Sequence, residues 1–407
     1  MNEVTLGYCI EEINHIVDDI MGESYLDLMS PKIDKIIFAK VKPIVGLIYA
    51  ELGMGFNDID DIIHMSIDTY FGIHNIHREI PVDKATPLDK DYVTKQLNEL
   101  RSLPQPTQNT EEWLDYRWTR LTASSAWKAL ASDAMVNSLI YSKCKPIDKD
   151  NGKVYSVNVN SATHHGHKFE PVSIKLYEDQ FYTTIEEFGC IPDSTNCNQG
   201  ASPDGINVNP SSDRYGFLLE VKNPVSRIPT GKTKLDYWVQ MQFQMHVIKF
   251  HTCDFLETCF KEYDDEDAFN NDGTFKQTVD GKKKGIIVCF NDGKNPIYKY
   301  PPVGLSKKAF DYWYDMTLNN AKGLTWINNT YWYLDMYSCV TVEYNKKWFD
   351  TAQPYFTRVW DTIEKERVTG YEHRAPKKRV IKNVDPMQEE NKVITPKITL
   401  KMRTSSL

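Results

Sequence analysis

Apolar positions recur at helical spacing through the first hundred residues and give way to short alternating or continuous apolar runs after about residue 185. In SPKIDKIIFAKVKPIVGLIYAEL, residues Ile33, Ile36, Ile37, Val41, Ile44, Val45 and Ile48 fall near i, i+3, i+4 spacing, which predicts a helix. Ser30 before Pro31 suits its N-cap, and Pro43 is expected to kink or interrupt it. A second apolar face follows in DIDDIIHMSIDTYFGI. The polar, proline-bearing stretch Ser102–Thr110 reads as a linker, so residues 1–101 are expected to form an N-terminal helical extension and 102–110 its tether.

Beyond the linker, EEWLDYRWTRLTASSAWKALAS predicts one helix and then another capped by its hydroxyl residues. SATHHGHKFEPVSIKLYEDQF predicts an amphipathic helix in which Glu170 precedes Pro171. A strand-like run covers Ile185–Asp193, Pro-Asp-Gly at 203–205 marks a tight turn, and a hairpin closes through NPSSDRYG into FLLEVKN. The helix DYWVQMQFQMHVIKF follows, with Gln240 and Gln244 on one face and Trp238, Met241 and Met245 in an apolar stripe. TCDFLETCF, KKGIIVCFND and NPIYKYPPV read as further strands, with residues 261–285 as a solvated loop insertion, and two helices close the domain at about residue 373. The tail, 374–407, carries a net charge of +6 and leaves −14 for the residues before it. Its composition predicts disorder, and its APKKRV suits a nuclear import signal, a phosphate contact or a plain basic tail.

Composition narrows the class. A chain of 407 residues can bury a large core, and the net charge of −8 requires any nucleic-acid contact to rest on a local basic patch. Eight cysteines without a CxxC or a zinc-type His/Cys spacing read as reduced thiols. No window approaches a membrane span and the first residues lack a signal-peptide pattern, so a soluble intracellular protein is expected, in a host cytoplasm or, if the tail directs import, a nucleus.

The chemistry concentrates between Gly200 and Val247. Period-two alternation puts Glu220 and Lys222 on one face of a buried strand, with Leu219 and Val221 on the other. Burying charge demands a partner, and a hard divalent cation held by Asp204 and Glu220, with Lys222 beside it, would supply one. Such a set suits phosphodiester hydrolysis; a Glu–Lys pair at a strand end also suits a simple ion pair. Arg117 beside the hydroxyl-rich TASS turn could bind a terminal phosphate or sit in an ordinary salt bridge. Glu170 could reach the same cation or stay on the surface, and His164, His165 and His167 do not share the helical face that a metal site needs.

Taken in order, W-x-x-x-R with TAS, G-x-x-x-E, SPDG, E-x-K and Y-x-x-Q-x-Q resemble the lambda exonuclease family of viral recombination nucleases, also called YqaJ-type, within the PD-(D/E)XK superfamily. The resemblance runs from Trp113 to Val247 and more weakly to about Val368. It implies an α/β fold, a mixed central sheet flanked by helices, over residues 111–373. It further implies that Asp204 and Glu220, with the carbonyl of Val221, hold Mg2+, that Glu170 serves a second ion, and that Mn2+ can substitute. By the same resemblance Lys222 orients the attacking water, Gln240 is an active-site glutamine, and Arg117, Ser124 and Ser202 hold a 5′-terminal phosphate. The expected activity is 5′→3′ resection of double-stranded DNA ends, releasing 5′-mononucleotides, in the recombination, replication or repair of a large DNA virus. The family implies a strand-annealing partner and a ring-shaped homotrimer. Alternatives at this stage are a structure-specific endonuclease or alkaline-nuclease-like enzyme acting on DNA and RNA, and a non-catalytic DNA-binding or assembly factor on the same fold.

Overall fold

The computed structural model describes residues 3–23, 33–50, 56–73, 88–106, 110–147, 158–159 and 161–376. Three helices come first: α1 (Glu3–Glu23), α2 (Ile33–Ala50) and α3 (Phe56–Ile73). They pack on one another through buried stripes that include Ile13 and Val17, Ile37 and Val41, and Ile63 and Ile67. The stripe of α2 is narrower than expected: Ile33, Ile37, Val41 and Val45 are buried at i, i+4 spacing, whereas Ile44 and Ile48 are exposed. Pro43 does not interrupt α2, which corrects the expectation. It lies on the solvent side above exposed Ala39, where water can serve the carbonyl that a proline leaves unbonded. The candidate cap at Ser30 lies outside the described residues.

Helix α4 (Lys90–Ser102) starts where the Asp89 side chain accepts from the Asp91 N–H. Its contacts run forward in the chain. Lys90 donates to the Pro210 carbonyl, Arg101 pairs with Glu186, and Val93 packs on Gly216. Gly216 has φ +83°, and a Cβ there would come within 2.9 Å of Val93, so glycine suits both the turn and the docking of the helix. The linker expected at 102–110 thus follows a helix that is fastened to residues of the sheet and its hairpin.

The remaining elements are α5 (Glu111–Trp118), β1 (Leu121–Thr122), α6 (Ala123–Ala126), α7 (Asp133–Cys144), α8 (Ala162–Phe181), β2 (Ile185–Glu186), β3 (Ile191–Pro192), β4 (Gln199–Ala201), β5 (Gly205–Asn207) and β6 (Leu218–Lys222). Then come α9 (Leu235–Ile248), β7 (Thr252–Glu262), α10 (Glu266–Asn271), β8 (Lys284–Asn291), β9 (Pro296–Lys299), α11 (Lys307–Asn320), β10 (Thr325–Glu343) and α12 (Lys346–Thr369). Seven strands form a mixed sheet in the order β2-β5-β6-β7-β10-β8-β9, and β1-β4-β3 form a small one. In the large sheet only β6 and β7 pair in parallel, and α9 is the crossover between them. The succession α8, β2, β5, β6, α9, β7 builds the expected mixed sheet flanked by helices, with extra helices before it.

Three readings change. The run Ile185–Asp193 is not one strand but two short ones in different sheets, β2 against β5 and β3 against β4. The segment 261–285 is more than a solvated loop: α10 buries Phe269 fully against Ile286 and Phe310. Strand β10, which links β7 to β8, has no counterpart in the sequence-based expectation.

The sheet's two faces near β6 are covered by different helices. Leu219 and Val221 pack with Ile174 and Tyr177 of α8, while Leu218 joins Trp238 and Met241 of α9 in the main core. Strand alternation therefore sends Glu220 to the side of α9. Among the described residues no helix is long and apolar enough to cross a membrane.

Candidate active site

Glu220 is fully buried at the centre of β6, and every hydrogen bond it receives comes from a neighbour that the α9 crossover or its own strand supplies. Gln240 Nε2 donates to Oε1 at 2.8 Å, and Gln244 Nε2 donates to Oε2 at 2.7 Å. Lys222, two residues along the same face, forms an ion pair with Oε1. Asp204 arrives from the preceding turn. Its N–H donates to the Leu219 carbonyl at 3.1 Å, and its Oδ2 accepts from the Val221 N–H at 2.7 Å. The next residue must be small: a Cβ on Gly205 would lie 2.1 Å from Ile185 Cγ2, so glycine lets β2 close on β5 and seats Asp204 against β6.

The charges are unevenly matched. Burial first, and the Glu220 carboxylate second, push Asp204 well above the ordinary carboxylate range, with Lys222 and the Val221 N–H pulling the other way. For Lys222 burial opposes the charge, but Glu220 and Asp204 outweigh it and hold the ammonium above the usual lysine range. Two carboxylates therefore share one lysine. The negative charge of Glu170 adds to the pressure on Asp204.

A cleft of about 390 Å³ opens beside these groups, lined by Gly166, His167 and Glu170 of α8 and by Lys222, Arg227 and Tyr237. His167 Nδ1 stands 3.8 Å from Glu170 Oε2, and the nearby carboxylate raises the imidazole's pKa. Of the other two histidines, His164 is buried and bonded to the Tyr298 hydroxyl at 2.6 Å. Beneath the cleft Asn223 ties α8 to the end of β6: its Nδ2 donates to the Gly166 carbonyl, and its Oδ1 accepts from Ser173 and Thr258. Among the described residues no group of three or more His, Cys, Asp and Glu is gathered as a metal cage, and Glu170 bears on Asp204 through its charge. Gln244 is the residue that sequence reasoning missed. Its spacing with Gln240 was visible, but the pairing of both amides with one buried carboxylate was not.

A second group of candidates lies before α8. Arg117 Nη2 donates to Ser124 Oγ at 3.3 Å, and its guanidinium rests 4.5 Å from the Trp113 ring centroid. Burial lowers its pKa, and no carboxylate is paired with it among the described residues. Ser124 sits on α6, whose Ala123 and Ala126 pack toward α9. Thr122 occupies the cap position of α6, but its Oγ1 bonds the Ser125 hydroxyl at 3.2 Å rather than a backbone N–H, so the hydroxyl cap expected there is not made. Ser202, on the turn before Asp204, offers its carbonyl to Gln244 Nε2 at 3.3 Å, and its buried Oγ has no hydrogen-bond partner. The structure thus joins Arg117 with Ser124, and links Ser202 to Glu220 through Gln244.

Residues 112–252 match the YqaJ-like viral recombinase domain, a stretch that contains every candidate site residue. An uncharacterized protein of Acanthamoeba polyphaga mimivirus is 26% identical over 377 residues, which cover 83% of this chain and 65% of that protein's length. An alkaline exonuclease from Laribacter hongkongensis overlays with a TM-score of 0.39 at 19% identity, covering 63% of this chain and 94% of that one. A phage-related exonuclease from Haemophilus somnus 129PT overlays at 0.34 with 12% identity, covering 60% and 94%. Over residues 112–252 the chain is thus similar to a YqaJ-like viral recombinase domain, and its core there is a mixed sheet flanked by helices.

Proposed function

We propose that this chain is a metal-dependent exodeoxyribonuclease that resects double-stranded DNA ends 5′→3′. The observation that carries the reading is the buried Glu220: both of its oxygens are fixed by glutamines and a lysine, next to a second acid, and that lysine lines an open cleft. A carboxylate so restrained serves little purpose in a plain ion pair, because burying it costs several kcal/mol of solvation.

The donor set fits a hydrated Mg2+. Asp204 is driven toward its neutral form by burial and then by Glu220, an imbalance that a second cation would relieve. Magnesium commonly takes one or two protein carboxylates and keeps waters in its other positions, so the absence of a three-carboxylate cage among the described residues suits it. Asp204, Glu220 and the Val221 carbonyl would hold the ion, and Glu170 across the cleft would serve a second. When bound, Mg2+ (or Mn2+) supplies Lewis acidity to the scissile phosphate and its attacking water.

The chain's own residues do the rest. Gln240 and Gln244 lock the Glu220 carboxylate in one orientation, and Lys222, charged across the physiological range, places positive charge where the phosphate becomes more negative. Arg117, Ser124 and Ser202 provide donors without an acid to neutralise them, which suits the 5′-terminal phosphate and would set the direction of travel. A strand-annealing partner and a ring-shaped trimer belong to the same reading.

The test is digestion of linear duplex DNA with Mg2+, comparing 5′-phosphorylated, 5′-hydroxyl and covalently closed circular substrates, with wild type and Glu220→Ala. The expected result is release of 5′-mononucleotides from linear DNA, faster with the 5′-phosphate, no attack on circles, and a loss on the order of 10³-fold in the variant. Cleavage of circles would replace the exonuclease with an endonuclease. Two inert proteins that still bind DNA would leave a binding factor.

A further inference from the structure

Behind the Arg117–Ser124 pair lies an amine that no motif marks. Lys143, near the end of α7, directs Nζ at the carbonyls of Arg117 and Arg120, 2.7 Å from each. These two carbonyls bracket the turn that leaves α5 and carries the chain to Ser124. On the far side, α12 closes over the lysine. Arg367 Nη2 donates to the Lys143 carbonyl at 2.8 Å and to the Trp118 carbonyl at 2.7 Å, and its guanidinium stacks 3.6 Å from the Trp118 ring centroid.

Every charged group facing this amine has the same sign. The Arg117 and Arg367 guanidiniums bear on it from α5 and α12, whereas Arg120 offers only its carbonyl. The Cys190 thiol is the one group of opposite tendency, and burial pushes its pKa up, which keeps it neutral. Of the acids on α12, Glu366 is engaged by Arg374, and Glu364 accepts from Trp360 and Asn198. Lys143, Arg117 and Arg367, three cations with no paired carboxylate among the described residues, form an arrangement that favours an anion.

We infer that Lys143 is a positioning residue for end recognition: it holds the backbone that presents Arg117 and Ser124, and its ammonium supplies a second positive charge behind the site for a 5′-terminal phosphate. The inference rests on the end-binding reading above. It adds that the preference for a phosphorylated end depends on proton uptake at Lys143. Burial first, then Arg117 and Arg367, hold its pKa down to about 7, so the charge behind the pocket is present below neutral pH and lost above it. Because the anion favours the charged amine, phosphate binding and protonation reinforce one another.

The experiment measures binding of 5′-phosphorylated and 5′-hydroxyl duplexes by fluorescence anisotropy without divalent metal, from about pH 6 to about pH 8.5, across the range in which Lys143 changes charge. It compares wild type, Lys143→Met, Lys143→Arg and Arg117→Ala, each checked for its melting temperature. In wild type the affinity ratio of phosphate to hydroxyl ends should fall about tenfold as pH rises through neutrality, against the opposite trend expected from the phosphate's own second ionisation near pH 6. Lys143→Arg should keep a high ratio across the range, and Lys143→Met a low, flat one. A Lys143→Met protein that folds and keeps the wild-type ratio and pH profile would overturn the inference while leaving the pocket standing. Should wild type and Arg117→Ala bind both ends equally at every pH, the end-binding reading fails, and the role of Lys143 fails with it.

Discussion

The acidic site on β6 and the cationic cluster behind α5 are built in opposite ways. At the acidic site, charges of both signs lie within a few residues of one another and are linked by direct bonds: Lys222 and two glutamines on Glu220, and a backbone N–H on Asp204. The cluster gathers Arg117, Lys143 and Arg367 from three distant helices, and their donors go to carbonyls and a hydroxyl rather than to acids. One region is short of positive charge and the other of negative charge. A duplex end with its terminal phosphate and a divalent cation would balance both, and the bridge between them is α9, which carries Gln240 and Gln244 and packs against α6.

The sharpest way to break that contrast is to remove a cation from the cluster. Arg117→Ala should lower the preference for a 5′-phosphate by about 10- to 100-fold, the worth of a hydrogen bond to a charged group, and leave the rate on hydroxyl ends nearly unchanged. A parallel drop on both ends in steady-state kinetics would tie Arg117 to the fold instead.

Gln244→Ala tests the acidic side. It leaves Glu220 Oε2 buried without a partner, so about 1–3 kcal/mol of stability should be lost in urea unfolding, together with about tenfold in activity. Gln240→Ala, at a partly exposed residue, should cost less stability.

The smallest effect is a matter of pH. Because the Asp204 carboxyl is raised in the folded protein, folding favours its protonated form. Metal-free stability should then decline as pH rises from the ordinary carboxylate range up through the raised value. Asp204→Asn should flatten that decline and raise the metal-free melting temperature near pH 8 by roughly 2–4 °C for each kcal/mol relieved. Added Mg2+ should stabilise wild type and not the variant.

How much of this could be read from the chain follows from distance along it. Asp204, Glu220 and Lys222 lie within one hairpin, and strand alternation alone puts the last two on one face. The α8 and α9 helices announced themselves by periodicity. Gln244 was visible as the neighbour of Gln240, but its role depends on the angle at which α9 crosses β6, which no local pattern encodes. Lys143 and Arg367 were silent because backbone carbonyls receive their donors, and a carbonyl has no sequence signature. Strand β10 escaped notice because it is half-buried along most of its length, so its apolar and polar residues do not alternate cleanly. The break between β2 and β3 was hidden by a run of strand-forming residues that spans two sheets.

The clasp of Arg367 on Trp118 and Lys143 also bears on the order in which a growing chain becomes competent. The residues that surround Glu220 have all been made once β7 is complete, whereas the cluster lacks its closing helix until α12 emerges more than a hundred residues later. Domains mature from the N-terminus as synthesis proceeds. On the proposed reading, a nascent chain would hold the groups around Glu220 before it could grip an end, and attachment to DNA would wait for α12.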